Sequence, residues 1–194
     1  MVDNMLKSAR KKYGPAGEAQ LMGYLAGELT EKAVAAKLAT IVGSKYRLVD
    51  GHDPFTAPNF GAHMEIEPKN LDVVQLDRAT GNVVAIYEVK STTDLEKREF
   101  NVNGQCGIFM ARAVELGIPT FLIVVRLERR ISEDVLRKEL ATGKVSVNPD
   151  AYMSELDHIA RSSKVELYGA DQFKMEAGKF VVSGAARTLE SIQH

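Results

Sequence analysis

Residues 70–93 read NLDVVQLDRATGNVVAIYEVKSTT, and the fold prediction begins from this stretch. Residues 71–76 form a short apolar run, residues 79–82 supply turn-forming side chains, and residues 83–90 form a second run rich in β-branched residues. Two such runs separated by turn residues are typical of a β-hairpin. The stretch therefore predicts two antiparallel strands joined by a turn.

Side chains alternate along a strand, which divides the second run between two faces. One face is predicted to carry Val84, Ile86, Glu88 and Lys90, and the other Val83, Ala85, Tyr87 and Val89. An acid and a base thus end an otherwise apolar face, beside Asp72 on the neighbouring strand. Burying either charge alone is costly, whereas a cation and water complete such a cluster. The group of Asp72, Glu88 and Lys90 predicts a divalent metal site.

The chemistry follows from the ligand types. Mg²⁺ keeps several waters and takes its remaining ligands from one or two carboxylates and from substrate phosphate. We expect Lys90 to hold or polarise the attacking water, or to neutralise charge on a pentacoordinate phosphate. The residues therefore predict phosphodiester hydrolysis that depends on Mg²⁺ or Mn²⁺.

The triplet acid-x-Lys is weak by itself and occurs a second time, as Glu67-Pro68-Lys69. Pro68 cannot donate to a sheet ladder, and no apolar run leads into this copy. The functional interpretation needs the whole pattern, in which Asp72 is followed by a turn and by an apolar strand that ends at Glu88-Val89-Lys90.

In this pattern the chain resembles the PD-(D/E)XK nuclease superfamily over about residues 15–127. The resemblance consists of the helix near Glu18, LDVVQL at 71–76, AIYEVKST at 85–92, the helix containing Gln105, and TFLIVV at 120–125. Leu71 stands where the named pattern has proline. The resemblance implies an α/β fold with a restriction-endonuclease-like core: a long helix, a mixed β-sheet with a hairpin, a crossover helix and a buried strand.

The resemblance also implies roles for individual residues. Asp72 and Glu88 would bind the metal, with Val89 as a further metal-binding position, and Lys90 would be the catalytic lysine. In this superfamily the long helix usually brings another acid toward the metal, and Glu18 is the first choice here, with Glu28 behind it. Glu18 alternatively only stabilises the start of its helix.

Gln105 opens the second predicted helix, where several branches of the superfamily place a glutamine next to the site. The alternative is a capping or surface glutamine. Arg112, two turns further on, is a weaker candidate for a phosphate contact. His52 with Asp53, and His63 with Glu65, have metal-ligand chemistry, yet a loop rich in proline and glycine contains such residues without function.

The domain prediction has three parts: a basic N-terminal arm at 1–14, the nuclease-like core at 15–130, and an α+β C-terminal elaboration at 131–194 packed on that core. Within them we expect a helix at 16–42, a strand at 45–50, a mobile connection at 92–103, a helix at 105–116 and a buried strand at 120–125. Further helices are expected at 132–140, 149–161 and 185–192, and further strands at 144–147, 165–168 and 179–182.

Composition sets outer limits on function. The net charge is −1, so a nucleic-acid surface must come from local basic clusters. Two clusters qualify as candidates: Lys7, Arg10, Lys11 and Lys12, and Arg126, Arg129 and Arg130. Cys106 is the only cysteine, which excludes an internal disulfide and fits a packed helix position in a reducing, cytoplasmic setting. No apolar run predicts a membrane span or a signal peptide.

The leading prediction is a metal-dependent nuclease that acts on nucleic acid, most readily DNA, with a homodimer as a further possibility. One alternative is a non-cleaving nucleic-acid-binding or assembly protein with the same fold. Another is a different α/β enzyme in which Asp72 and Glu88 are ordinary acids at strand ends. The three differ in geometry, because only the first requires both carboxylates to share one ligand sphere with the Lys90 amine at its rim.

Overall fold

A computed structural model of the chain describes residues 15–50, 71–102, 104–128 and 164–192. In chain order, the elements in these ranges are helix α1 (Pro15–Ala39), strands β1 (Tyr46–Asp50), β2 (Val73–Asp77), β3 (Val83–Thr92) and β4 (Glu99–Asn101), helix α2 (Gly104–Glu115), strands β5 (Thr120–Arg126), β6 (Lys164–Gly169), β7 (Phe173–Glu176) and β8 (Lys179–Val182), and a 3₁₀ turn (Leu189–Ser191). The long helix, the hairpin, the second helix and the buried strand are present as predicted, and the fold is α/β.

Helix α1 is one continuous helix of 25 residues. It begins at Pro15, a favourable first position because the first N–H groups of a helix have no partner inside it. Leu29, Val34 and Leu38 are buried against the sheet, as their helical spacing predicts. Within the described ranges, no helix is long and apolar enough to cross a membrane.

The β2–β3 turn is organised by Asp77. Its Oδ1 atom accepts the N–H groups of Ala79 and Thr80, both at 2.9 Å. The Gly81 N–H donates to the Asp77 carbonyl at 2.8 Å, and the Asp77 N–H donates to the Asn82 carbonyl at 2.9 Å. Gly81 has a φ of 72°, a conformation that is strained for residues with a side chain. These contacts confirm the predicted hairpin.

The main sheet has five strands in the order β1-β2-β3-β5-β6. Neighbouring strands are antiparallel except for β3 and β5, which are parallel and are joined through α2. Strand β5 lies between two partners, and all four residues of its centre, 122–125, are fully buried. This agrees with the continuous apolar run, which predicts a strand covered on both faces.

The two helices lie on opposite faces of the main sheet. The face that contacts α1 includes Ala85, Tyr87 and Val89. The face that contacts α2 includes Ile86 and Leu122. Each face has its own apolar layer, so the polar residues of β3 are held between two packed surfaces.

A β-bulge changes the predicted alternation at the start of β3. Gln75 lies opposite Ala85, but Leu76 lies opposite Val83, so the register shifts between these pairs. Val83 consequently packs with the cluster that contains Ile86. The prediction that Val83 shares a face with Ala85 is wrong, because strict alternation takes no account of an extra residue in one strand.

Residues 164–182 contribute to both of the sheets found in the described ranges. Strand β6 borders β5 in the main sheet, and β7 and β8 pair with β4 in a second sheet of order β4-β8-β7. Strand β4 lies inside the connection predicted to be mobile, and the predicted helix at 185–192 is only a 3₁₀ turn. The basic arm, the loop at 51–70 and the elements predicted between 131 and 161 lie outside the described residues.

Arg126 holds the connection between β3 and β4 in place. Its Nε donates to Glu166 Oε2 at 2.8 Å, and its terminal nitrogens donate to the carbonyls of Asp94 at 3.0 Å and Lys97 at 3.1 Å. The Tyr168 hydroxyl donates to the same Glu166 oxygen at 2.8 Å. Arg126, Glu166 and Tyr168, hereafter the Arg126 cluster, are all buried. Arg126 is therefore an internal structural residue, and the prediction that it lies in a basic surface cluster is wrong.

Removing the guanidinium tests the contribution of this cluster to stability. We expect Arg126→Met to lower the free energy of unfolding by about 3 kcal/mol, because it removes a buried cation from the Glu166 carboxylate and the donor to the carbonyls of Asp94 and Lys97. Lys164 stays bonded to Glu166 at 2.9 Å, which keeps the loss at the lower end of the range for such changes. Urea denaturation measures the difference.

Arg112→Met is the matched control, since Arg112 pairs with Glu115 at 2.7 Å on the exposed surface. We expect this variant to change the free energy of unfolding by less than about 0.5 kcal/mol. Equal effects of the two substitutions would show that the buried pair of Arg126 and Glu166 adds nothing to the free energy of unfolding.

Candidate metal centre

The register of the hairpin brings Asp72 and Glu88 together. Val74 lies opposite Ile86 and Val73 opposite Tyr87, so the next position outward sets Asp72 against Glu88. The Asp72 Oδ2 atom accepts the Val89 N–H at 2.7 Å, which extends the contact of the two strands by one residue. Both carboxylates are buried. The predicted convergence of these two acids is present in the structure.

Lys90 completes the group from the same strand. Its Nζ donates to Glu88 Oε1, as expected for side chains two residues apart on one face. The side chain of Lys90 is 25% exposed, whereas that of Glu88 is 2% exposed. The site is therefore closed at Glu88 and open to solvent on the side of Lys90.

Burial and the neighbouring charges both shift the pKa values of the site. Burial and the adjacent Glu88 carboxylate raise the pKa of Asp72 to about 7, although the Lys90 ammonium and the Val89 N–H act in the opposite direction. Burial acts to lower the pKa of Lys90, but the charges of Glu88 and Asp72 outweigh it and the pKa is raised. Asp72 therefore keeps its proton to a higher pH than a free carboxyl does, while Lys90 stays protonated.

One atom of the site has no partner. Among the described residues, Glu88 Oε2 is the buried side-chain oxygen or nitrogen that makes no hydrogen bond. Buried polar atoms are normally satisfied. The neighbouring groups that can donate to this oxygen are the Cys106 thiol and, when protonated, the Asp72 carboxyl, and a cation or a water can take the same place. Carboxylate oxygens are what Mg²⁺ and Mn²⁺ bind, and the donor set fits such an ion.

The protein ligands for such an ion are few. Within the described ranges, no three His, Cys, Asp or Glu side chains come together as a metal-binding group. Asp72 and Glu88 are two acids, which is enough for Mg²⁺ because this ion keeps most of its waters. A centre formed by these residues would be hydrated and open toward substrate.

Cys106 closes the inner side of the site. Its thiol is buried in α2 and lies beside Glu88. Burial raises the pKa of the Cys106 thiol, and the nearby Glu88 carboxylate raises it further. The sulfur is therefore a neutral packing group, as predicted for a buried helix position.

A small cavity lies on the other side of Asp72. It has a volume of about 90 Å³ and is lined by Glu31, Lys32, Ala35, Leu48, Val49, Asp72 and Val73. Glu31 and Lys32 are only partly exposed, although as neighbouring charges on a helix they have the character of solvent-facing residues. The spacing of Lys32 from Leu29 and Val34 along the helix does not predict this partial burial, because the cavity depends on where β1 and β2 cross α1.

The remaining predicted site residues have described backbones only. Glu18 and Glu28 lie in α1 and Gln105 in α2, and their side chains are outside the described part of the molecule. Glu31 is 13 residues beyond Glu18, a rise of about 20 Å along a continuous helix. Glu28 is less than one turn from Glu31 and its cavity. Helix geometry therefore favours Glu28 over Glu18 as the additional acid, and the role of each stays a prediction.

The other candidate residues differ in their position relative to the site. The main chain of Gln105 adjoins Cys106 and hence the inner side of the site. Arg112 is paired with Glu115 on the surface, which leaves less of its charge for a phosphate. The histidine-containing loop with His52 and His63 lies outside the described residues.

The fold and the site define an α/β chain whose mixed sheet buries two carboxylates beside a lysine. Comparison with models of protein families, with curated proteins and with solved structures found no match. The functional assignment therefore rests on the geometry of Asp72, Glu88 and Lys90.

The raised pKa of Asp72 has a measurable effect on stability. The carboxyl titrates at about 7 in the folded chain and near 3.9 when unfolded. Between these values the folded state holds a proton that the unfolded state lacks, so the free energy of unfolding of the metal-free protein should fall as pH rises from about 4 to about 7.

Asp72→Asn removes this titration and keeps an oxygen for the Val89 N–H. We expect it to exceed the unsubstituted chain in stability at about pH 8 by on the order of 1–4 kcal/mol, and to lose the advantage near pH 4. Urea denaturation in EDTA across this pH range measures the difference. Asp171→Asn, at an exposed surface pair with Arg187, is the control and should not change the pH dependence. Parallel curves for Asp72→Asn and the unsubstituted chain would contradict the effect of burial.

Proposed function

We propose that this chain is a metal-dependent nuclease that hydrolyses phosphodiester bonds, with DNA as its substrate. One observation carries the proposal: two buried carboxylates meet beside an amine, and one carboxylate oxygen has no hydrogen-bond partner in the described structure. A purely structural role gives no reason to bury two acids next to each other, because that arrangement costs stability.

The order of elements supports the same proposal. A long helix, three antiparallel strands, a second helix and a parallel strand occur in the order α1, β1, β2, β3, α2 and β5, and the short strand β4 lies between β3 and α2. This is the order expected from the resemblance to the PD-(D/E)XK nuclease superfamily. Strand β6 and the β7–β8 hairpin are additions to that core. The assignment to a restriction-endonuclease-like core is part of the proposal.

The metal would be held by Asp72 and Glu88, with Val89 and an acid of α1 as predicted further contributors. When bound, Mg²⁺ or Mn²⁺ supplies a Lewis acid and a water of lowered pKa for attack on phosphorus. Asp72 is oriented by the Val89 N–H, and Glu88 by the Lys90 ammonium. Both acids are thus positioned by β3: Asp72 by the Val89 backbone and Glu88 by the Lys90 side chain.

Lys90 provides the positive charge at the open side of the site. Its amine lies next to Glu88 and is partly exposed, so it can reach a substrate phosphate without leaving the site. There it would hold or polarise the attacking water, or neutralise charge on the pentacoordinate phosphate. Gln105 would orient substrate or water from the start of α2.

The non-cleaving alternative has one observation in its favour. Only two acids meet in the described structure, and the Lys90 amine is already engaged by one of them. A nucleic-acid-binding or assembly protein with this fold would bind substrate and leave it intact. Cleavage assays with Mg²⁺, Mn²⁺ and EDTA on plasmid and oligonucleotide substrates decide between the two proposals.

Lys90→Met tests the catalytic role directly. We expect it to lower the rate of metal-dependent DNA cleavage by about 100-fold or more, because it removes a charge aimed at the transition state. Lys37→Met, in the last turn of α1, is the control and should cleave at the rate of the unsubstituted chain. Circular dichroism verifies that both variants are folded. Normal cleavage by Lys90→Met would refute the assigned role.

Metal binding is testable without activity. We expect Mn²⁺ or Mg²⁺ to raise the melting temperature of the unsubstituted chain, since an ion that binds only the folded state stabilises it. Asp72→Asn and Glu88→Gln should each lose most of this increase. Glu99→Gln is the control, because Glu99 forms an exposed pair with Lys179. A shift that persists in both site variants would place the ion elsewhere.

A further inference from the structure

The connection between β3 and β4, residues 93–98, begins next to the site lysine. Lys90 lies two residues before Thr92, the last residue of β3, so the connection starts about 10 Å beyond Lys90. Thr92 pairs with Arg126 across the ladder. The connection therefore continues from the end of β3 at which Lys90 lies, and a substrate strand bound at Lys90 would extend toward it.

Three hydrogen bonds hold the backbone of this connection. Arg126 donates to the carbonyls of Asp94 and Lys97 at 3.0 and 3.1 Å. The Val182 N–H donates to the Arg98 carbonyl at 3.0 Å. Both donor residues are buried, whereas the side chains of Lys97 and Arg98 are exposed. A rigid support thus presents two cations to solvent, which limits the conformational entropy lost when they bind a ligand.

The two cations differ from their basic neighbours. Nearby basic side chains form ion pairs with carboxylates: Lys164 with Glu166, Lys179 with Glu99 and Arg187 with Asp171. In the described ranges, Lys97 and Arg98 form none. The Lys97 amine lies 5.7 Å from the centre of the Phe100 ring, and Arg98 makes long contacts of 3.4 Å to the Tyr168 hydroxyl and 3.5 Å to the Gly184 carbonyl. Their charges remain available to an anion.

Two acids share the connection and act against an anionic ligand. Asp94 accepts the Glu96 N–H at 3.0 Å, so its carboxylate is already used to shape the turn. Glu96 is exposed and makes no ion pair in the part of the chain that the structure describes. Neutralising Glu96 should therefore strengthen anion binding, which offers an independent test of opposite sign.

We propose that Lys97 and Arg98 bind backbone phosphates of the substrate strand next to the bond that is cut. This inference rests on the proposed nuclease function and identifies the surface by which that site holds DNA. Contacts of lysine and arginine with phosphates position a duplex and carry no sequence information. The two residues act in substrate binding, and Lys90 acts at the reacting phosphate.

The test compares two double variants of equal charge. Lys97→Ala/Arg98→Ala removes the proposed contacts, and Lys45→Ala/Arg47→Ala removes an exposed lysine and arginine at the opposite end of the hairpin. Lys45 also lies over an aromatic ring, that of Tyr46 at 4.7 Å, so the pairs are closely matched. Fluorescence anisotropy with a short labelled DNA duplex in EDTA gives the binding constant over a range of salt concentrations.

We expect Lys97→Ala/Arg98→Ala to weaken binding and to lower the slope of log K against log salt by about 2, since each lost phosphate contact lowers it by about 0.9. Lys45→Ala/Arg47→Ala should keep the slope of the unsubstituted chain. Glu96→Gln should tighten binding. In cleavage assays with Mg²⁺, the Lys97→Ala/Arg98→Ala variant should show a raised KM with a nearly unchanged kcat.

Two results would overturn the proposal, and they are distinguishable. If the unsubstituted chain cleaves DNA and both double variants keep its salt slope, the phosphate contacts lie elsewhere and the nuclease function stands. If the unsubstituted chain neither binds nor cleaves any nucleic acid, the function fails and the contacts fail with it.

Discussion

Pairing of β2 with β3 forces two carboxylates into a space from which water is largely excluded. Asp72 and Glu88 repel each other there, and the Lys90 ammonium and the Val89 N–H compensate only in part. The surrounding apolar layers keep the acids in place, because separating them would mean unpairing the hairpin. The fold therefore holds a destabilising arrangement at one end of its sheet.

Much of this arrangement could be predicted from the sequence because it depends on local pattern. The hairpin follows from an apolar run and a β-branched run around turn residues 79–82, and alternation by two along β3 puts Glu88 and Lys90 on one face. The buried strand β5 follows from its uninterrupted apolar run. The prediction of strict alternation failed at the bulge, because the residue types around Val83 do not indicate the extra residue.

Contacts between residues far apart in the chain could not be predicted. Arg126 and Glu166 are 40 residues apart, and in the sequence Arg126 is indistinguishable from a surface arginine. The same limit applies to Glu31, whose cavity exists only because β1 and β2 cross α1 at that level. Long-range pairing also explains the missed strand β4, which forms because β8 supplies its hydrogen-bond partners.

The buried thiol of Cys106 has a practical consequence. It is 1% exposed and lies between α2 and the sheet, so an alkylating reagent reaches the sulfur only when the helix separates from the strands beneath it. The rate of its modification by a neutral maleimide thus reports how often this layer opens. Labelling of this single cysteine therefore measures the transient opening of the α2 layer that covers Glu88.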